Sequence, residues 1–133
     1  MLRLNNIMPL SKSSARVVEE KSVTGRLEFT CTFTLNDTAD RPWAQEMTVD
    51  INVSLMGEHD NRAELMHAQN TYAVGFTEAA DGASPEVTDA VWPYVRPDVV
   101  ECFRTYGLPA DAIPLHMTGS GDDGSVEDAA VPV

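Results

Sequence analysis

The sequence predicts an α+β domain in which one helix covers part of an antiparallel sheet, and three observations carry that expectation. Residues 27–35 and 47–55 alternate strictly between apolar and polar side chains. Residues 65–76 keep most of that alternation. From residue 91 the apolar spacing lengthens to three or four, the period of a helix.

The first twenty residues carry a loose apolar pattern at Leu2, Leu4 and Ile7, then Pro9 and SKSSARVVEE, and a short edge strand is expected there. Leu27, Phe29, Cys31, Phe33 and Leu35 alternate with Glu28, Thr30, Thr32 and Thr34, which predicts a strand with one buried face. NDTADRPW marks a loop. Met47, Val49, Ile51, Val53 and Leu55 repeat the pattern, and the short turn GEHDNR implies an antiparallel neighbour. In AELMHAQNTYAVGFTE, Met66, Ala68, Tyr72, Val74 and Phe76 share a face, whereas Asn70 breaks it and Leu65 falls on the other. A long strand follows, either bulged near Gln69 to Thr71 or apolar on both faces over part of its length.

After DGASP, the residues Val91, Val95, Val99, Cys102 and Tyr106 form a helical stripe broadened by Trp92, Tyr94 and Phe103, and Gly107 and Pro109 stop it. GLPADAIPLHM is expected to be extended, and TGSGDDGSVEDAAVPV is too poor in apolar residues to pack. The domain is therefore drawn at 1–117, with a disordered acidic tail at 118–133.

At 133 residues the chain suits one core. Twenty-one acidic against nine basic residues, a net charge of −12, oppose binding to nucleic acid or anionic membranes and would attract basic, unfolded polypeptides. An acidic solvated face without a partner accounts for the same charge. No run approaches the ~20 apolar residues of a membrane span, and MLRLNNIMPL lacks the apolar stretch of a signal peptide, so a cytoplasmic location is expected. Cys31 and Cys102 lack metal-ligand spacing and are expected to be reduced core residues.

Nothing in the sequence points to catalysis. His59, His67 and His116 have no HxxxH or HExxH spacing, and there is no phosphate loop, nucleophile elbow or paired-carboxylate motif. No cofactor or metal is expected. What remains is apolar surface around residues 65–76, where Leu65 and Met66 would pack on the N-terminal segment, a sister subunit or a ligand.

The segment VWPYVRPDVVECFRTYGLPADAIPLHM resembles the SecB-like protein-export chaperones, which carry an aromatic-Pro-Tyr-x-Arg opening to a long helix, a Gly-x-Pro stop and a Leu/Ile-Pro stretch. Here these are Trp92, Pro93, Tyr94 and Arg96, then Gly107, Leu108 and Pro109, then Ile113, Pro114 and Leu115. The order of the strands upstream is similar as well, so the resemblance spans residues 24–117. It implies a four-stranded antiparallel sheet with a long helix on one face, assembled as a homotetramer, a dimer of dimers. It further implies an ATP-independent, non-enzymatic holdase that binds unfolded or presecretory chains in apolar grooves, with strand-edge hydrogen bonds in support. On this reading Leu65, Met66, Tyr72, Val74 and Phe76 are candidate client contacts. Trp92, Tyr94, Val95, Val99 and Phe103 are assigned to core and subunit interface.

Three departures from the family matter. Its second, C-terminal helix is replaced here by the acidic tail. An acidic residue used to dock the export motor SecA is replaced by His67, beside Glu64 and Leu65. Pro97 stands where a glutamate is common. A dedicated chaperone of an antitoxin is therefore a second expectation, and a small-ligand-binding domain or a phage assembly subunit are further alternatives. Pro97 removes a helical N–H and disfavours helical geometry at residue 96, which predicts a helix in two pieces with WPYVR as the bend.

Overall fold

The computed structural model of the protein describes residues 2–17, 25–58 and 62–116, and the expected tail lies outside them. Four strands, β1 (Leu4–Arg16), β2 (Arg26–Asp37), β3 (Gln45–Met56) and β4 (Arg62–Phe76), precede one helix, α1 (Pro85–Thr105), and a short 3₁₀ turn at Ala110–Ala112. The strands form one antiparallel sheet in the order β1-β4-β3-β2.

Register stacks the apolar alternations into rows. Phe29 lies opposite Val53, Cys31 opposite Ile51 and Phe33 opposite Val49, while Val53, Ile51 and Met47 continue to Met66, Ala68 and Tyr72. All of these are buried beneath α1. Val91, Trp92, Val95, Val99 and Phe103 close the core from above. Two edge-to-face ring pairs fix the helix over β2: Phe33 with Trp92 at 6.2 Å and Phe29 with Phe103 at 5.4 Å. Each pair adds about 0.5–1.5 kcal/mol beyond the area it buries.

Sequence expectation and structure part at three elements. The N-terminal strand is not short: β1 runs for 13 residues, although only Leu4, Ile7 and Leu10 are even half-buried along it. Backbone pairing to β4 holds it, and such pairing leaves no apolar period to read. Two register shifts, between Leu4 and Asn6 and between Pro9 and Ser11, accommodate a proline that an edge strand tolerates.

The irregularity in β4 lies not at Gln69 to Thr71 but at Leu65, the extra residue where the register to β3 shifts between Val53 and Ser54. Asn70 keeps its place opposite Val49 and points into the core. From the bulge to Thr71 the outer face of β4 is polar, carrying His67, Gln69 and Thr71, and beyond it Ala73 is buried on that face while Tyr72 and Val74 are buried on the other, so the strand is apolar on both sides only near its end.

The helix is one piece. α1 is continuous from Pro85 to Thr105 through both Pro93 and Pro97, which corrects the expected break at WPYVR. Residues 85, 89, 93 and 97 follow one another at four-residue spacing, and all four are exposed. The carbonyls that lose an N–H partner, those of Asp89 and Pro93, therefore belong to the solvent-facing stripe, where water can satisfy them. The buried stripe, from Val87 to Phe103, keeps its own spacing undisturbed.

Both helix ends are capped, the second at the expected Gly107. Ser84 accepts a hydrogen bond from the Val87 N–H at 3.3 Å, with Pro85 opening the first turn. At the other end Gly107 adopts φ 70°, Leu108 N–H donates to the Phe103 carbonyl at 2.8 Å and Gly107 N–H to that of Arg104 at 3.2 Å. That pair of bonds is a Schellman stop and requires a left-handed residue at position 107.

Candidate functional site

The resemblance segment converges in space. Trp92 Nε1 and Arg96 Nε both donate to the Pro114 carbonyl, at 3.2 and 3.0 Å, and Arg96 Nη2 donates to that of Ile113 at 3.3 Å. Two side chains of one helix turn thus anchor the Ile-Pro-Leu stretch against α1. Ile113 is buried, whereas Leu115 is left 71% exposed.

Of the candidate client contacts, Met66, Tyr72 and Val74 lie in the core with exposures of 0, 2 and 1%. They face α1 and offer no surface to a bound chain in this arrangement, which corrects their assignment as groove walls. The reason is register: the apolar face that marks β4 as a strand is the face the helix covers. Leu65 and Phe76, half-buried at the two ends of β4, retain accessible surface. In the second set, Trp92, Val95, Val99 and Phe103 are core, and Tyr94 is 57% exposed.

A polar seam joins β1 to α1. Lys12 Nζ donates to Asp98 Oδ1 at 2.8 Å, Tyr72 OH donates to Asp98 Oδ2 at 2.7 Å, and Asn70 Nδ2 donates to Tyr72 OH at 3.3 Å. The Ser14 and Tyr106 hydroxyls meet at 2.7 Å, and Arg16 Nη1 donates to the Tyr106 carbonyl at 3.1 Å. The hydrogen bond to Asp98 raises the Lys12 pKa above its ordinary value against an opposing desolvation. Burial, then the bond to Asp98, raises that of Tyr72. A cavity of about 130 Å³ opens here between Lys12, Ser14, Asn70, Asp98, Glu101 and Cys102. Burial pushes the Cys102 thiol up as well. With both Asp98 oxygens engaged and the neighbouring groups held in their protonated forms, the seam acts as a clasp between strand and helix.

The outer face of the sheet is polar. Gln69 Nε2 donates to Asp50 Oδ1 at 2.9 Å, and exposed His67 lies 3.3 Å from Glu64 Oε1 through Nδ1. Among the described residues, no group of three or more His, Cys, Asp or Glu side chains could hold a metal ion. No helix among them is long and apolar enough to cross a membrane.

The two sheet edges differ. β1 is blunted by Pro9, by two register shifts and by Lys12 and Arg16. β2 pairs with β3 from Arg26 to Asp37 without a shift, contains no proline, and carries no charge between Glu28 and Asp37. Among the described residues no strand pairs with the other side of Leu27–Asp37. Among the described residues, the regular backbone from Leu27 to Asp37 therefore presents main-chain groups without a strand partner. The strand alternation at 27–35 was legible in the sequence; that this strand ends the sheet was not.

No family model matches the sequence, and no curated protein matches it. Among solved structures, the chain is similar to the Mycobacterium tuberculosis Rv1957 SecB-like chaperone in complex with a ChAD peptide from the Rv1956 HigA1 antitoxin, at 15% identity over 86% of this chain and 87% of that chain, with a TM-score of 0.49.

Proposed function

We propose that this chain is an ATP-independent holdase that keeps unfolded polypeptides from aggregating by adding them, as extended strands, to the free edge of β2. The observation that carries this reading is that edge: from Leu27 to Asp37 it is unshifted, free of proline and, among the described residues, strand-paired on one side only. Main-chain pairing reads no sequence, which suits a client without a fixed shape, and alternate client side chains would lie over the rows begun by Phe29 and Phe33. The net charge of −12 supports long-range attraction of basic segments. The WPYVR resemblance supports the same reading, since Trp92 and Arg96 converge on Pro114 and join the motif's separate parts.

In the proposed assembly, a homotetramer built as a dimer of dimers, Tyr94 is the residue of the interface set with free surface to contribute. Leu65 and Phe76 are the members of the client set that could supplement the edge. A presecretory client handed to SecA is one destination. A dedicated antitoxin client is favoured by His67, which is exposed on the outer face where the family's motor-docking acid would stand.

The test is suppression of aggregation of a chemically unfolded model client, followed by light scattering. Suppression near one client per assembly is expected. No suppression at several-fold excess of this protein would overturn the proposal, and so would a strictly monomeric mass for the assembly part of it.

A further inference from the structure

The cavity in the clasp between β1 and α1 is lined by polar groups that do not all satisfy one another. At about 130 Å³ it offers roughly four waters' share of liquid volume, so a guest would have only a handful of non-hydrogen atoms. Asn70 reaches it from β4; it is 4% exposed and donates to Tyr72 OH through Nδ2. The Asn70 amide oxygen accepts no hydrogen bond from the described residues, although so deeply buried a side chain normally has its polar atoms paired.

Two charged groups on the same cavity are also incompletely engaged. Lys12 lies opposite Asn70 across the β1–β4 ladder and gives one of its ammonium N–H groups to Asp98 Oδ1, which leaves the others free for a guest. Glu101, about one turn of α1 beyond Asp98, lines the cavity, and its carboxylate makes no hydrogen bond or ion pair among the described residues. After the bond to Asp98, the Glu101 charge is among the influences that raise the Lys12 pKa, so the two groups lie within electrostatic reach. The other polar groups are occupied: Asp98 receives Lys12 and Tyr72, and the Ser14 hydroxyl meets that of Tyr106.

These free groups define the guest. A lone anion would face Asp98 and Glu101, and a lone cation would face the Lys12 ammonium. A molecule carrying both charges close together satisfies every free group, because Lys12 can donate to its carboxylate while the Asn70 oxygen and Glu101 accept from its N–H groups. We propose that this cavity binds a small zwitterion of the α-amino acid class, with its carboxylate on Lys12 and its ammonium shared between Glu101 and the Asn70 amide oxygen. The inference does not rest on the holdase reading, since the cavity lies between β1 and α1, at the opposite side of the sheet from β2. Bound there, the guest ties strand to helix at a further point and stabilises the folded chain by mass action.

The test is titration of the ¹⁵N-labelled full chain with L-alanine, followed through its amide resonances, with ethylamine, propionate and glycine betaine as comparisons. L-Alanine is expected to shift the amides of Lys12, Asn70 and Glu101 saturably. Ethylamine lacks the carboxylate, propionate the ammonium and betaine the N–H donors, so each should bind about tenfold more weakly or worse. Glu101→Gln, at an exposed side chain with no described partner, should keep the fold by circular dichroism and weaken L-alanine binding by about tenfold. Absence of saturable shifts at these amides would overturn the proposal. Binding of ethylamine or betaine as tight as that of L-alanine would overturn it too, as would undiminished L-alanine binding by Glu101→Gln.

Discussion

Asn70 is the residue at which the alternation of β4 fails, and the structure gives the physical reason. It stays in register on the core face and donates to Tyr72 OH, which in turn donates to Asp98. A polar residue on a buried face is tolerated when a neighbour engages it in a hydrogen bond; here the neighbour is Tyr72 of the same strand, itself held by Asp98 of α1, which sequence spacing cannot place. Tyr72→Phe should remove the bond to the Asp98 carboxylate and lower stability by about 1.5–3 kcal/mol, read from urea unfolding. The seam also sets the alkaline limit. The Lys12 pKa is raised above 10.5, so its contribution is complete below that value and is lost as pH rises through the folded-state value. The Tyr72 pKa is raised above 10.0, so ionisation of the unfolded chain withdraws stability over the same side of the scale. Stability should fall as pH rises above about 10, and Tyr72→Phe should flatten that slope. An unchanged slope would place the alkaline sensitivity elsewhere.

At the scale of elements, α1 was legible in its buried stripe and its Gly107 stop, and misread at its prolines. Local rules count Pro97 as a break; they do not say which face receives the defect. Because positions 89, 93 and 97 fall on the exposed stripe, tertiary packing of the opposite face holds the helix continuous. Pro97→Ala restores an N–H to the Pro93 carbonyl and should raise stability by about 1–2 kcal/mol in urea unfolding, less than the full helix-propensity difference because the unfolded chain also gains freedom. A destabilised variant would mean that the proline is required for the helix path. β1 was expected as a short edge strand, and its length was illegible for the opposite reason: most of its side chains are exposed, and what stabilises it is the ladder to β4 and the clasp to α1.

For the whole molecule, the α+β class and the three alternating strands could be read directly, since alternation and burial on one face are the same physical fact. Sheet order could not. Which strands lie at the edges depends on pairings across the chain, and the proposed function depends on those edges. Adding charge to the open edge offers a check that leaves the core alone. Thr32→Lys with Thr34→Lys, on the outer face of β2, should keep the fold by circular dichroism and reduce aggregation suppression several-fold, as positive charge on an edge opposes strand addition. Unchanged suppression by the folded variant would move the client off β2.

The most direct measurement is hydrogen exchange by mass spectrometry across Arg26–Asp37, with and without an unfolded client. Strand addition predicts that the outward-facing amides of β2 exchange fast in the free protein and become protected when the client is bound, while β1 is unchanged. Client binding with no added protection in β2 would contradict the account.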